Sequence, residues 1–159
     1  GLNLCPFAKA VHVKKQVRYV VSAATTEAAL LEDLARELDL LVRTPTAEIE
    51  TTLIIHPAVL GDFLDYNDFL DLADETLLDL DLADDVQIAS FHPLYQFAGT
   101  EPDDIDNYTN RSPYPMLHLL REASVTQATD AFPDAEKIFT KNIATLRSLG
   151  LDGWKKLGL

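Results

Sequence analysis

Spacing of apolar positions divides the chain into elements before any motif is sought. VRYVVSAA (residues 17–24) is rich in β-branched residues and bounded by polar ones, which predicts a strand. In the next segment, residues 25–42, Leu30, Leu34, Leu38 and Leu41 fall on one face at helical spacing, and Thr25 or Thr26 is placed to cap the start. ETTLIIH (50–56) predicts a second strand ended by Pro57. Residues 61–82 predict a second helix, with Phe63, Tyr66, Leu70 and Leu77 along one side and aspartates over much of the rest. VQIASFH (86–92) predicts a third strand ended by Pro93. MLHLLREASVTQA (116–128) reads as a third helix, and residues 133–149 as a fourth, with Pro133 in its first turn and Gly150 as its stop. Residues 1–16 fit either a helix end or a turn, and the tail 151–159 is unassigned.

Strands alternating with helices favour an α/β fold: a small, mainly parallel sheet of about three strands with four or more helices. The alternative is an α+β, ferredoxin-like arrangement with a short extra strand in LYQFAG (94–99). At 159 residues the chain suits one globular domain spanning 1–159.

Composition narrows the partners. Hydrophobic residues make up 47%, yet no run approaches the roughly 18 apolar residues of a membrane span. The formal net charge of −13 opposes both nucleic acid and anionic membranes. The expected partner is a small molecule held by a few placed cations, and so an anionic one. Oligomeric state is left open. The one cysteine, Cys5, excludes an internal disulfide and suits a reducing, cytoplasmic setting.

Candidate chemistry gathers around two repeated endings. The second strand closes on IIHP and the third on SFHP, so His56 and His92 share one sheet edge if their strands are parallel. Ligands of open α/β sheets bind outside that edge. The same edge launches residues 93–115, longer than ordinary connections, which are rarely beyond about 12–15 residues without a function. This segment carries four of the eight prolines and is aromatic, which points to an ordered loop. Arg111 is the candidate for gripping a carboxylate or phosphate through its two-pronged guanidinium. Asn107 and Asn110 are candidate substrate-binding groups, and Tyr95 and Tyr108 candidate pocket walls. An internal ion pair from Arg111 to nearby aspartates is the rival reading. EPDDID (101–106) matches no cation-binding loop and reads as turn aspartates.

Catalytic candidates are His56 and His92 as acid and base, with Cys5 as a nucleophile. The same three residues suit a transition metal such as zinc with one open position. The plain alternative for Cys5 is a small buried hydrophobe. His118 reads as a packed helix residue and His12 as solvated among Lys9, Lys14 and Lys15. Signatures of P-loop, dinucleotide-binding, α/β-hydrolase and zinc-protease sites are absent.

Taken together, GLNLCPFA, TTLIIHP, DFLDYNDFLD, ASFHPLYQFAGTEPDD and NYTNRSPYPMLHLLRE resemble the bacterial family called domain of unknown function 1415. The blocks span nearly the whole chain. The resemblance implies a single cytoplasmic domain and carries no activity or site residue across. Three readings follow: a small enzyme on an anionic metabolite, a non-catalytic metal- or ligand-binding module, or a protein-interaction domain.

Overall fold

The computed structural model describes residues 2, 4–5, 8–131 and 137–157. A short helix α1 (Ala8–Val13) leads into β1 (Val17–Val21), α2 (Glu27–Arg43), β2 (Thr51–Ile55), α3 (Phe63–Asp79) and β3 (Val86–Phe91). A 3-10 turn at Ile105–Thr109 interrupts the long loop. Then come β4 (Met116–Arg121), α4 (Glu122–Asp130) and α5 (Lys137–Lys155).

The sheet has four strands in the order β1-β2-β4-β3. β1 and β2 are parallel, and β4 is antiparallel to both β2 and β3. β1, β2 and β3 therefore run the same way, with β4 inserted between the last two. The sheet is mixed and four-stranded, which corrects the expectation of about three mainly parallel strands. The fourth strand is not in 94–99 but in MLHLL, read above as a helix start. That run is too short for periodicity to decide, and alternation also fits it, with Leu117 and Leu119 buried and His118 between them partly exposed. A slot between two strands offers hydrogen bonds on both sides, which outweighs the helix preference of leucine. Only Glu122 onward is helical, beginning as α4.

One face of the sheet is covered by α2 and α3, which also touch each other. Leu30, Leu34, Leu38 and Leu41 of α2 are all fully buried, as their spacing predicts. They meet Tyr66, Phe69, Ala73 and Leu77 of α3 over Ile54, Val86, Leu117 and Leu119. Caps fix both helix starts: Thr26 Oγ1 accepts the Ala29 N–H, and Asp62 accepts those of Leu64 and Asp65. Arg121 closes the far end of α2 by donating to the carbonyls of Leu41, Thr44 and Ile49. The other face, carrying Tyr19, Val21, Leu53, Ile55, Met116, Leu120 and Phe91, contributes none of its residues to this core.

α5 extends past the expected helix end. Gly150 breaks the regular helix with φ 65°, and the chain continues helically to Lys155, so the unassigned tail is largely helical. The start expected at Pro133 falls outside the described residues.

Candidate functional site

Pairing explains where the two histidines stand. Ile55 and Phe91 both pair with Met116, so His56 and His92 flank the entry to β4 on one edge. Two strand spacings of about 4.8 Å separate their backbones. Each follows the inward-facing parity of its strand, and each is fully buried. Tyr66 of α3 contacts both rings, at 5.8 Å from His56 and 5.1 Å from His92 between centroids. Its hydroxyl donates to the Met116 carbonyl at 2.7 Å and accepts the Phe91 N–H at 3.2 Å. Burial raises the Tyr66 phenol well above its ordinary pKa, so it works as a neutral clamp.

The histidines differ in what their nitrogens meet. His92 Nδ1 accepts the Leu94 N–H at 3.0 Å, which leaves Nε2 protonated and donating to the Leu60 carbonyl at 3.1 Å. Both nitrogens are engaged, and the ring caps the turn that opens the long loop. His56 Nδ1 donates to the Val59 carbonyl at 3.1 Å, while Nε2 is buried without a partner among the described residues. Burial lowers the pKa of both, and for His56 the neighbouring His92 adds to the effect. Both are neutral imidazoles at pH 7.

The long loop is packed, and its polar side chains are largely turned inward. Asn107 is fully buried; its carbonyl oxygen accepts from Phe97 N–H (3.0 Å) and Thr100 hydroxyl (2.8 Å), and its amide donates to Glu101 O (2.8 Å). Asn110 donates to Ser90 O at 3.3 Å, while its own carbonyl accepts the His92 N–H. The loop thereby bonds to the carboxyl end of the outer edge of β3. Arg111 donates to the carbonyls of Tyr95 and Pro102 and lies over the Tyr108 ring at 4.4 Å. Tyr108 also packs on Trp154 of α5, and Asp106 pairs with Arg147. Tyr95 lies between Phe63 and Phe97. Asn107, Asn110 and Arg111, the expected substrate-binding groups, here direct their hydrogen-bonding groups to the loop itself, to β3 and to their neighbours. Tyr95 and Tyr108, the expected pocket walls, pack against the rings of Phe63, Phe97 and Trp154.

Cys5 is exposed, whereas His56 and His92 are fully buried. Among the described residues no group of three His, Cys, Asp or Glu side chains is placed to hold a metal ion. The expected Cys5–His56–His92 metal set is therefore not assembled. The N-terminal segment instead touches α5, where Asn142 donates to the Leu4 carbonyl.

Two groupings escaped the sequence reading. His118 is on β4 rather than a helix, in the middle of the outer sheet face between Leu53 and Ala89. Thr51 Oγ1 donates to the Leu119 carbonyl at 2.6 Å and so accepts from His118 Nε2 at 2.8 Å, which fixes the tautomer. Burial pushes its pKa down to about 4.

The second is a cleft of about 430 Å³ at the carboxyl end of β1, lined by residues including Ser22, Ala23, Ala24, Ala29, Asp33 and Arg36. Ser22 is buried and donates to Asp33 at 2.5 Å, accepting the Ala24 N–H in return. Arg36 pairs with the other Asp33 oxygen. The Ser22 hydroxyl, with help from Arg36, holds the Asp33 carboxyl below its usual range. Its signal in the sequence was the run SAATT, small residues between a strand and a helix start. A wider depression of about 690 Å³ lies at the opposite edge, along α4 beside Asp84, Glu122 and Asp130. It is larger but less built, since α4 buries none of its residues.

These features define a two-layer domain with a mixed sheet and a small polar cleft at the carboxyl edge. The chain belongs to the family described as protein of unknown function (DUF1415), whose model matches residues 1–156. No curated protein and no solved structure matches it. No described helix is long and apolar enough to cross a membrane.

Proposed function

We propose that the protein is a small-ligand-binding domain whose site is the cleft between the carboxyl end of β1 and the start of α2. The observation that carries this reading is the Ser22–Asp33–Arg36 network, partly buried at the wall of a cleft on the edge where open α/β sheets take ligands. The apolar lining comes from Val20 and Val21 of β1 and from Ala23, Ala24 and Ala29. Of the charged groups, Arg36 already answers Asp33, which leaves Glu32 unmatched. The ligand is accordingly a compound with a positive charge or several N–H and O–H donors.

Binding without turnover fits the groups present. Ser22 donates a hydrogen bond to a carboxylate that is held ionised, a weak base for activating a hydroxyl. One observation favours an enzyme as the second reading. His56 has an unpartnered Nε2 lone pair and stands opposite Ser22, one residue beyond the Val21–Ile55 pair.

A single titration tests both. Isotope-labelled protein would be titrated with primary amines, amino acids and polyols, following amide and imidazole nitrogen shifts. Binding is expected to move Ser22–Ala24 and Ala29–Arg36, and to be lost in Asp33→Asn. Shifts confined to other residues, or binding indifferent to Asp33→Asn, would refute the cleft. Movement of His56 Nε2 together with chemical change of the ligand would favour the enzyme.

A further inference from the structure

The two edges of the sheet are treated differently. The outer edge of β3 is bonded to the loop at its carboxyl end, through Asn110. Among the described residues the outer edge of β1 has no such partner. Ser22 N–H donates to Ile55 O, and Gln16 O accepts from Glu50 N–H and Thr51 N–H. Even-numbered residues of β1 thus direct their backbone groups to β2. Those of Val17, Tyr19 and Val21 point outward, and no hydrogen bond among the described residues engages them. Tyr19 is 58% exposed and Val21 69% exposed, both on the face away from α2 and α3. Exposed, unpaired edge strands are templates for another strand.

We propose that a second copy of this chain occupies that edge, with the two β1 strands antiparallel about a two-fold axis through Tyr19. The backbone fits this register. Tyr19 then faces Tyr19, and Val17 faces Val21, so every outward-pointing residue falls in a hydrogen-bonded pair and exchanges two N–H···O bonds with its opposite. On the face away from α2 and α3 the same pairing sets Val17 against Val21 and the two tyrosines side by side, apolar on apolar. Charge selects the antiparallel sense. Lys14 and Lys15 lie just before β1, while Glu27, Glu32 and Asp33 lie beyond its other end at the start of α2. In a chain of net charge −13, two like copies repel overall. Two-fold antiparallel pairing brings the basic end of each copy to the acidic end of the other; a parallel arrangement would join like ends. An isologous contact of this kind closes on itself. It also sets Lys15 of one copy opposite Ala23 of the other, at the wall of the cleft. The pairing itself rests on the edge alone and stands or falls separately from the ligand reading.

Sedimentation equilibrium of the full chain tests it, with hydrogen exchange of the β1 amides at low and high protein concentration. The expected result is a mass rising from 17.6 kDa to twice that value. The Val17, Tyr19 and Val21 amides become protected in step. Tyr19→Lys puts like charges on the axis at an exposed position and is expected to weaken association at least about tenfold. Lys15→Glu is expected to weaken it too, with Glu32→Lys in the same chain restoring it and high salt diminishing it. A single species of 17.6 kDa at every concentration overturns the proposal, even if a foreign peptide binds this edge. So does a dimer whose β1 amides exchange freely, or one indifferent to Tyr19→Lys.

Discussion

His118 makes acid stability the sharpest test of the fold. Its folded pKa is about 4, against an ordinary 6.5, because the ring is buried in the sheet face. The folded pKa is depressed, so the unfolded chain takes up its proton first as pH falls. Stability from this group is therefore full above about pH 6.5, is lost progressively down to about pH 4, and changes no further below that. At pH 5 the unfolded imidazole is largely protonated and the folded one is not, which gives about 2 kcal/mol. That is an upper figure, since the ring is only partly withdrawn from solvent. His56 and His92 are depressed in the same direction and add to the loss. Asp33, depressed as a carboxylate, loses its contribution only below the ordinary Asp value of 3.8 and leaves this window alone. His118→Gln removes the titration while keeping an amide donor for Thr51. Urea unfolding followed by circular dichroism would be measured from pH 7.5 to 5.0 on both proteins. The wild type should lose about 2 kcal/mol more than the variant over that span. Parallel curves, or an imidazole titrating at 6.5 by magnetic resonance, would refute the placement of His118.

Other substitutions probe the clamps. Asn107→Ala orphans the Phe97 N–H and the Glu101 carbonyl inside the loop and should cost about 2–3 kcal/mol, read by chemical denaturation, with faster proteolysis between 93 and 115. Tyr66→Phe removes one donor and one acceptor where β3 and β4 meet, so a loss of about 1–2 kcal/mol and faster exchange of the Phe91 amide are expected. Arg121→Met leaves the carbonyls of Leu41, Thr44 and Ile49 without their donor; about 2–4 kcal/mol should be lost, whereas an unchanged denaturation midpoint would show that water replaces the guanidinium. Leu38→Ala, at a fully buried position of α2, should cost about 2–5 kcal/mol by the same assay.

What could be read from the sequence follows from the range of the interactions involved. The four leucines of α2 and the cap at Thr26 are local patterns, and they appear as expected. β4 is not local. Its identity depends on a slot between β2 and β3 that only the assembled sheet provides, and reading it as helix moved His118 to the wrong element. The paired His-Pro endings gave the right edge, because β1, β2 and β3 do run parallel despite the intruding strand. They left exposure undetermined. A proline after a strand-end histidine tells where the ladder stops, but not whether the ring turns out to a ligand or in beneath a helix. Here parity sends both rings inward under Tyr66, and their N–H groups go to Val59 and Leu60, carbonyls of the turn ahead of α3. The internal partners of Arg111 and Asn107 were illegible for a related reason. Residue type shows that a loop is rich in donors and acceptors, whereas the direction of each bond depends on how residues 93–115 fold back on themselves. A loop this long, with its own backbone carbonyls to satisfy, consumes those side chains first. The cleft was passed over for the opposite reason. Ser22 and Asp33 are ordinary residues eleven apart, and only the packing of α2 across β1 brings one hydroxyl onto one carboxylate.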